Sequence, residues 1–220
     1  MERKPVMTAG ARSTGIEINQ VLRNTYMLLG MTLLFSAVTA GLAMALNISP
    51  MTGLVLSLIS FGLLFVVHKT ADSAKGIAAV FAFTGLLGAA LGPTLNHYLA
   101  LTNGPHLIMQ ALGGTALVFF ALSAYVVTTK KDFSFLGGFL FVGLIVALIA
   151  SIALIFFHAP AAQMALSAGI VLLMSGLILF DTSRIVHGGE TNYIRATVAL
   201  YLDIYNLFTA LLSLLGMNDD

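Results

Sequence analysis

Seven long apolar runs, joined by short polar connections, account for nearly all of this 220-residue chain. They lie at about Asn24 to Leu46, Gly53 to Val67, Ile77 to Leu95, Leu107 to Thr128, Phe135 to Phe157, Ala161 to Val186 and Ala196 to Leu215. Each is near the ~17–25 residues with which a helix crosses ~30 Å of hydrocarbon, the second run being the shortest. Hydrocarbon offers the backbone no partner, so a continuous apolar run closes its hydrogen bonds within itself, as a helix. Barrel strands would alternate apolar and polar residues, and these runs do not. A content of 59% hydrophobic and 9% charged residues leaves no room for a soluble domain of any size. The sequence predicts an all-α membrane protein, a seven-transmembrane-helix bundle. It divides into a polar N-terminal tail over residues 1–23, a membrane domain over 24–216 and a short tail over 217–220.

The basic residues orient this bundle. Arg3, Lys4, Arg12 and Arg23 precede or open the first run, and Lys69, Lys75, Lys130, Lys131, Arg184 and Arg195 fall in alternate connections. All ten Lys and Arg therefore share one side with the N-terminus, which the positive-inside rule places in the cytoplasm. The C-terminus is then external, as an odd number of crossings requires. The segment from Met1 to Arg23 lacks the apolar core of a cleaved signal, so the first helix is expected to remain.

Chemistry is sparse. The chain has no cysteine, and His68, His97, His106, His158 and His187 follow no metal-binding spacing. No nucleophile elbow or metal cluster is legible, so no enzymatic activity, resident cofactor or nucleic-acid partner is expected. Retinal chemistry would need a lysine inside the membrane, and every lysine lies at or beyond a helix end. Serines within the runs suit hydrogen bonds between helices. The glycines Gly85, Gly88 and Gly92 in the third run, and Gly137-Gly138 opening the fifth, permit close helix contact, more readily within the bundle than between copies.

Asp181 and Asp203 are the exception to an apolar interior. With Gly188-Gly189 as the stop of the sixth helix and Tyr193 to Ala196 as the start of the seventh, both acids lie roughly 10 Å from the cytoplasmic turn. An aspartate at such depth costs ~2.5–3.5 kcal/mol on insertion scales and therefore tends to face the bundle interior. Two on one level would share a proton over some pH range and, deprotonated, would offer hard oxygen ligands to Ca²⁺. Helix rotation decides whether they meet. The structural alternative for Asp181 is an ion pair with Arg184, one turn away. Asp203 has no basic residue within a turn, which leaves His68, Lys69, Arg184 and His187 as candidate charge partners.

The stretch from Phe180-Asp181-Thr182-Ser183-Arg184 through His187-Gly188-Gly189-Glu190-Thr191-Asn192-Tyr193-Ile194-Arg195 resembles the signature of the Bax inhibitor-1 family. So does Ala199-Leu200-Tyr201-Leu202-Asp203-Ile204-Tyr205-Asn206-Leu207-Phe208. Val21 to Tyr26, Ala111 to Phe120 and Lys130 to Gly138 look like its bacterial branch of modulators of the FtsH protease. The resemblance implies seven helices with the last one central, in a bacterial inner-membrane protein without catalysis of its own. It implies association with the membrane-anchored, ATP-dependent protease FtsH and its accessory membrane proteins. Degradation of other membrane proteins would be restrained while this chain is itself a slow substrate. Elsewhere the family contains pH-sensitive calcium leaks, whose two aspartates match Asp181 and Asp203. In those members an arginine near the end of the second helix partners the acids, where this chain has His68 and Lys69. A protease working from the cytoplasm could grip the tail that includes Met1, Glu2, Arg3, Lys4 and Arg12, which spans tens of ångströms at ~3.3–3.6 Å per residue when extended.

Overall fold

In a computed structural model of the chain the described residues are 9–157 and 159–217, with side chains from Glu17 onward. Met1, Glu2, Arg3 and Lys4, the side chain of Arg12, His158 and residues 218–220 lie outside them. Seven helices follow one another: α1 (Ala9–Ala45), α2 (Pro50–Thr70), α3 (Ala74–Leu99), α4 (Gly104–Thr129), α5 (Gly137–Phe156), α6 (Pro160–Val186) and α7 (Tyr193–Gly216). A single 3₁₀ turn, Ser134–Leu136, leads into α5. All seven are long and apolar enough to cross a membrane.

Two boundaries differ from the sequence expectation. The backbone of α1 is helical from Ala9, so much of the segment assigned to a polar tail continues the first helix. Apolarity marks where a helix enters hydrocarbon, whereas helix formation stops only at a breaker, and no proline follows Pro5 before Pro50. The candidate span within α1 begins at Glu17. The second helix is also longer than its apolar run. Ser49 caps it by accepting a bond from the Thr52 amide at 3.2 Å, Pro50 occupies the first turn, and His68, Lys69 and Thr70 complete the last.

Glycine determines how closely α1 and α3 approach. A Cβ on Gly88 would lie 2.3 Å from the Ser36 carbonyl oxygen, and one on Gly92 would lie 2.6 Å from Ala43 Cβ. These glycines serve packing within the bundle, as expected. Hydroxyls then tie helices together: Ser36 Oγ and Tyr201 Oη are 2.7 Å apart, Ser167 Oγ and Ser213 Oγ 3.1 Å. Helix α7 touches every helix but α5 and carries the core residues Leu200, Tyr201, Leu207 and Leu212, each at most 1% exposed. The last helix is central. By contrast, α5 rests on α6 and the 3₁₀ turn alone, and turns Phe139, Phe141 and Ile149 outward. In water that face would drive aggregation; in a bilayer it is solvated by lipid.

The connections sort onto two ends. Asn192 Nδ2 donates to Ala71 O at 3.0 Å and Asp72 Oδ1 at 2.8 Å, and His187 Nε2 stands 3.0 Å from Lys130 O. The α2–α3, α4–α5 and α6–α7 connections, which hold the basic residues, thus share one end. At the other, Asn96 Nδ2 donates to Met44 O at 3.1 Å, and Tyr98 packs against Gly216.

Candidate ion site at the α6–α7 hairpin

The hairpin is built by local rules. Helix α6 ends at Val186, and Gly188 turns the chain with φ +73, a conformation that favours glycine. The Gly189 amide closes the turn on Arg184 O at 2.7 Å. Asn192 then caps α7, its Oδ1 accepting from the amides of Ile194 at 2.9 Å and Arg195 at 3.1 Å. Stop and start fall where the glycine pair and Tyr193 predict them.

This geometry brings the two acids together. The Asp181 and Asp203 carboxyl groups face one another across the α6–α7 seam within hydrogen-bonding reach. Asp203 is 4% exposed, and its Oδ2 is fully enclosed with no hydrogen-bond donor among the described residues. The opposite edge of α7 presents Tyr201, Ile204, Tyr205 and Phe208 towards α1 and α4.

The candidate cations are arranged unequally around the pair. Arg184 Nη1 stands 3.8 Å from Asp181 Oδ1, while Nη2 stands 3.7 Å from Glu190 Oε2 and the guanidinium also lies over the Phe180 ring. Both ion-pair distances are long, and the arginine side chain is 38% exposed against 13% for Asp181, so the pair is loose and solvent-screened on the arginine side. Neither His68, Lys69 nor His187 forms an ion pair with either aspartate. His68 Nδ1 instead approaches Leu64 O of its own helix at 2.9 Å. His187 is held between Ser183 O at 2.8 Å and Lys130 O at 3.0 Å, where it fastens the α4–α5 connection to the end of α6. The Phe133 amide strengthens that clasp by donating to Ser183 Oγ at 2.9 Å. Bonds from the Ser134 hydroxyl and amide hold the Asp132 carboxyl below its usual range, and Tyr125 Oη, 2.8 Å from Lys131 Nζ, pushes that ammonium up.

One feature escaped sequence reasoning. Beside Asp181, Thr182 Oγ1 lies 3.1 Å from Ser123 Oγ, which lies 2.6 Å from Tyr26 Oη. This hydroxyl chain links α6, α4 and α1. Its members are isolated polar residues in apolar runs, and only helix rotation shows that they converge. Among the described residues no group of three His, Cys, Asp or Glu is placed to hold a metal. The aspartates alone supply at most four of the six to eight oxygens that Ca²⁺ takes.

Comparison with known proteins agrees with this architecture over almost the whole chain. The family described as inhibitor of apoptosis-promoting Bax1 matches residues 18–220. The Escherichia coli K12 protein named modulator of FtsH protease YccA is 54% identical over 212 residues, 96% of each chain. Its counterpart in Escherichia coli O6:H1, named inner membrane protein YccA, is equally similar, and a Vibrio cholerae membrane protein is 54% identical over 92% of this chain and 91% of its own. Seven apolar helices with the last one central, an acid pair on its hairpin and a family match that leaves out only the first residues lead to one assignment: the chain belongs to the Bax inhibitor-1 family.

Proposed function

We propose that this protein is an inner-membrane modulator of FtsH that restrains degradation of membrane proteins and is itself degraded slowly. The observation that carries this reading is 54% identity across 96% of both chains to a protein named for that role. An alignment of that extent takes in all seven helices. The end of the bundle that gathers Lys69, Lys75, Lys130, Lys131, Arg184 and Arg195 is assigned to the cytoplasm on its charge. On this reading a cytoplasmic protease grips the residues that precede α1, among them Met1, Glu2, Arg3 and Lys4, together with Arg12 in the first turns of α1. FtsH and its accessory membrane proteins are the partners, reached through the bilayer. In cells containing FtsH, deleting residues 2–20 should lengthen the half-life of this protein; unchanged turnover would remove the segment from the mechanism.

The acid pair favours a second activity, a proton-regulated calcium leak. Two carboxyl groups bond to each other only through a proton, so a buried pair in contact is a site where proton and Ca²⁺ exclude one another. In liposomes, Asp203→Asn should change the acid dependence of calcium flux. Identical flux for parent and variant at every pH would discard the leak.

A further inference from the structure

Two helices that flank α7 leave a gap between them. No Cα atom of α1 comes within 8 Å of one in α4, and the space encloses a cavity of about 510 Å³ with the Tyr201, Ile204, Tyr205 and Phe208 edge of α7 as its floor. At its inner end Tyr26 bridges the gap, bonding to Ser123 and resting 5.9 Å from the Phe119 ring. At the other end it reaches Met44, Leu95 and Ile108. Its exposed lining, Gly30 and Gly41 of α1 and Leu112 and Phe120 of α4, makes it a groove open between the two helices, on a side that faces lipid when the bundle spans a membrane.

What fills it follows from three observations. The first is polarity: Ser36 is engaged with Tyr201, Tyr26 with Ser123 and Thr115 with Ala111 O, so apart from the Tyr205 hydroxyl the lining left to an occupant is apolar. The second is width. From Tyr26 to Met44 the groove runs ~27 Å along α1, so its volume corresponds to a passage roughly 8 Å from wall to wall. A helix with its side chains is about 10–12 Å across and does not enter, whereas a single polymethylene chain does. The third is the wall itself. Gly30 and Gly41 line the groove one above the other on α1, and a Cβ added to either would touch nothing. Unlike Gly88 or Gly92, they have no packing partner within the chain, although glycine weakens a helix by roughly 1 kcal/mol relative to alanine. The space they leave accommodates something outside the chain.

Polarity at the rim fits a lipid headgroup. The helix ends and the α1–α2 connection at the Met44 and Ile108 end carry Asn96 and His97 of α3, His106 of α4 and Asn47. Imidazoles and amides there offer a phosphate hydrogen-bond donors. We propose that the α1–α4 groove holds one acyl chain of a membrane phospholipid, inserted sideways with its headgroup at this end. The inference does not depend on either activity proposed above.

The test uses the full chain in liposomes doped with a phospholipid that carries a photoactivatable diazirine on its acyl chain. Ile204 and Phe208 on the floor are 9% and 7% exposed, so label on them reports a chain inside the groove rather than bulk lipid. Label on the outward-facing Phe139 and Phe141 of α5 serves as the internal standard. The floor should be labelled in the parent, and Gly30→Leu and Gly41→Leu, made separately, should each lower floor labelling about tenfold with α5 labelling and helical content unchanged. An unlabelled floor in the parent overturns the proposal, as does equal floor labelling in parent and folded variants. A floor that stays unlabelled in lipid but cross-links to added FtsH would give the groove to a protein and refute it equally.

Discussion

Substituting Gly88 by alanine adds one methyl group at the tightest contact between α1 and α3. The new Cβ would stand 2.3 Å from Ser36 O, 2.4 Å from Thr39 Oγ1 and 2.5 Å from Ser36 Oγ, where ordinary contacts begin near 3.4 Å. Two of these atoms belong to Ser36, and one is backbone, so rotating a side chain does not relieve the clash. The helices must separate by about 1 Å, and overpacking of this kind costs about 1–3 kcal/mol. Ser36 Oγ is also bonded to Tyr201 Oη at 2.7 Å, and Tyr201 donates onward to Thr84 O at 3.2 Å. Separation stretches the first of these bonds, and interhelical hydrogen bonds in membranes contribute about 0.6–1.7 kcal/mol. Gly88→Ala should therefore destabilise the fold by about 2–4 kcal/mol. Gly113→Ala is the matched control, because a Cβ there meets nothing; it should be as stable as the parent or up to about 1 kcal/mol more stable, since alanine favours the helix. Equilibrium unfolding in mixed micelles, followed by far-ultraviolet circular dichroism and tyrosine fluorescence, measures both; the chain has no tryptophan. Gly88→Ala as stable as Gly113→Ala would refute the account of α1–α3 packing.

Other consequences are local. Asn192→Ala removes the α7 cap and the tie to Ala71 and Asp72; a cost of about 0.5–2 kcal/mol is expected, with faster hydrogen exchange at the Ile194 and Arg195 amides, and unchanged exchange would contradict the cap. Arg184→Gln should cost no more than about 1 kcal/mol in the same unfolding assay, since its two ion pairs are long and partly exposed; a loss of several kcal/mol would show that the arginine neutralises a buried acid. Asp132 is held below its ordinary value of 3.8, so its contribution to the Lys130–Ser134 connection is present above pH 3.8 and lost as pH falls through the lower folded value. The Ser134 amide should lose protection only in that acid window, and Asp132→Asn should abolish the pH dependence.

Some of this was legible in the sequence, and the boundary has a physical basis. Seven apolar runs, alternate basic connections, the Gly188 stop and the shared depth of Asp181 and Asp203 depend on composition and spacing along one helix. The facing of the two acids, the Tyr26–Ser123–Thr182 chain and the α1–α4 groove depend on the rotation and separation of different helices. That rotation is set by contacts such as Gly88 on Ser36, which no single run encodes. The start of α1 differed for another reason: hydropathy locates the membrane boundary, and the helix backbone continues beyond it. His68 and Lys69 were reasonable partners by depth, yet the described contacts point His68 at its own helix.

The central claim is control of FtsH by this protein, and reconstitution tests it most directly. Active FtsH and a membrane substrate would be placed in proteoliposomes with this protein, intact or lacking its first twenty residues, and substrate loss followed over time with co-insertion confirmed. The account predicts slower degradation with the intact protein and weaker restraint with the truncated one. Substrate loss at the same rate with and without the intact protein would contradict it.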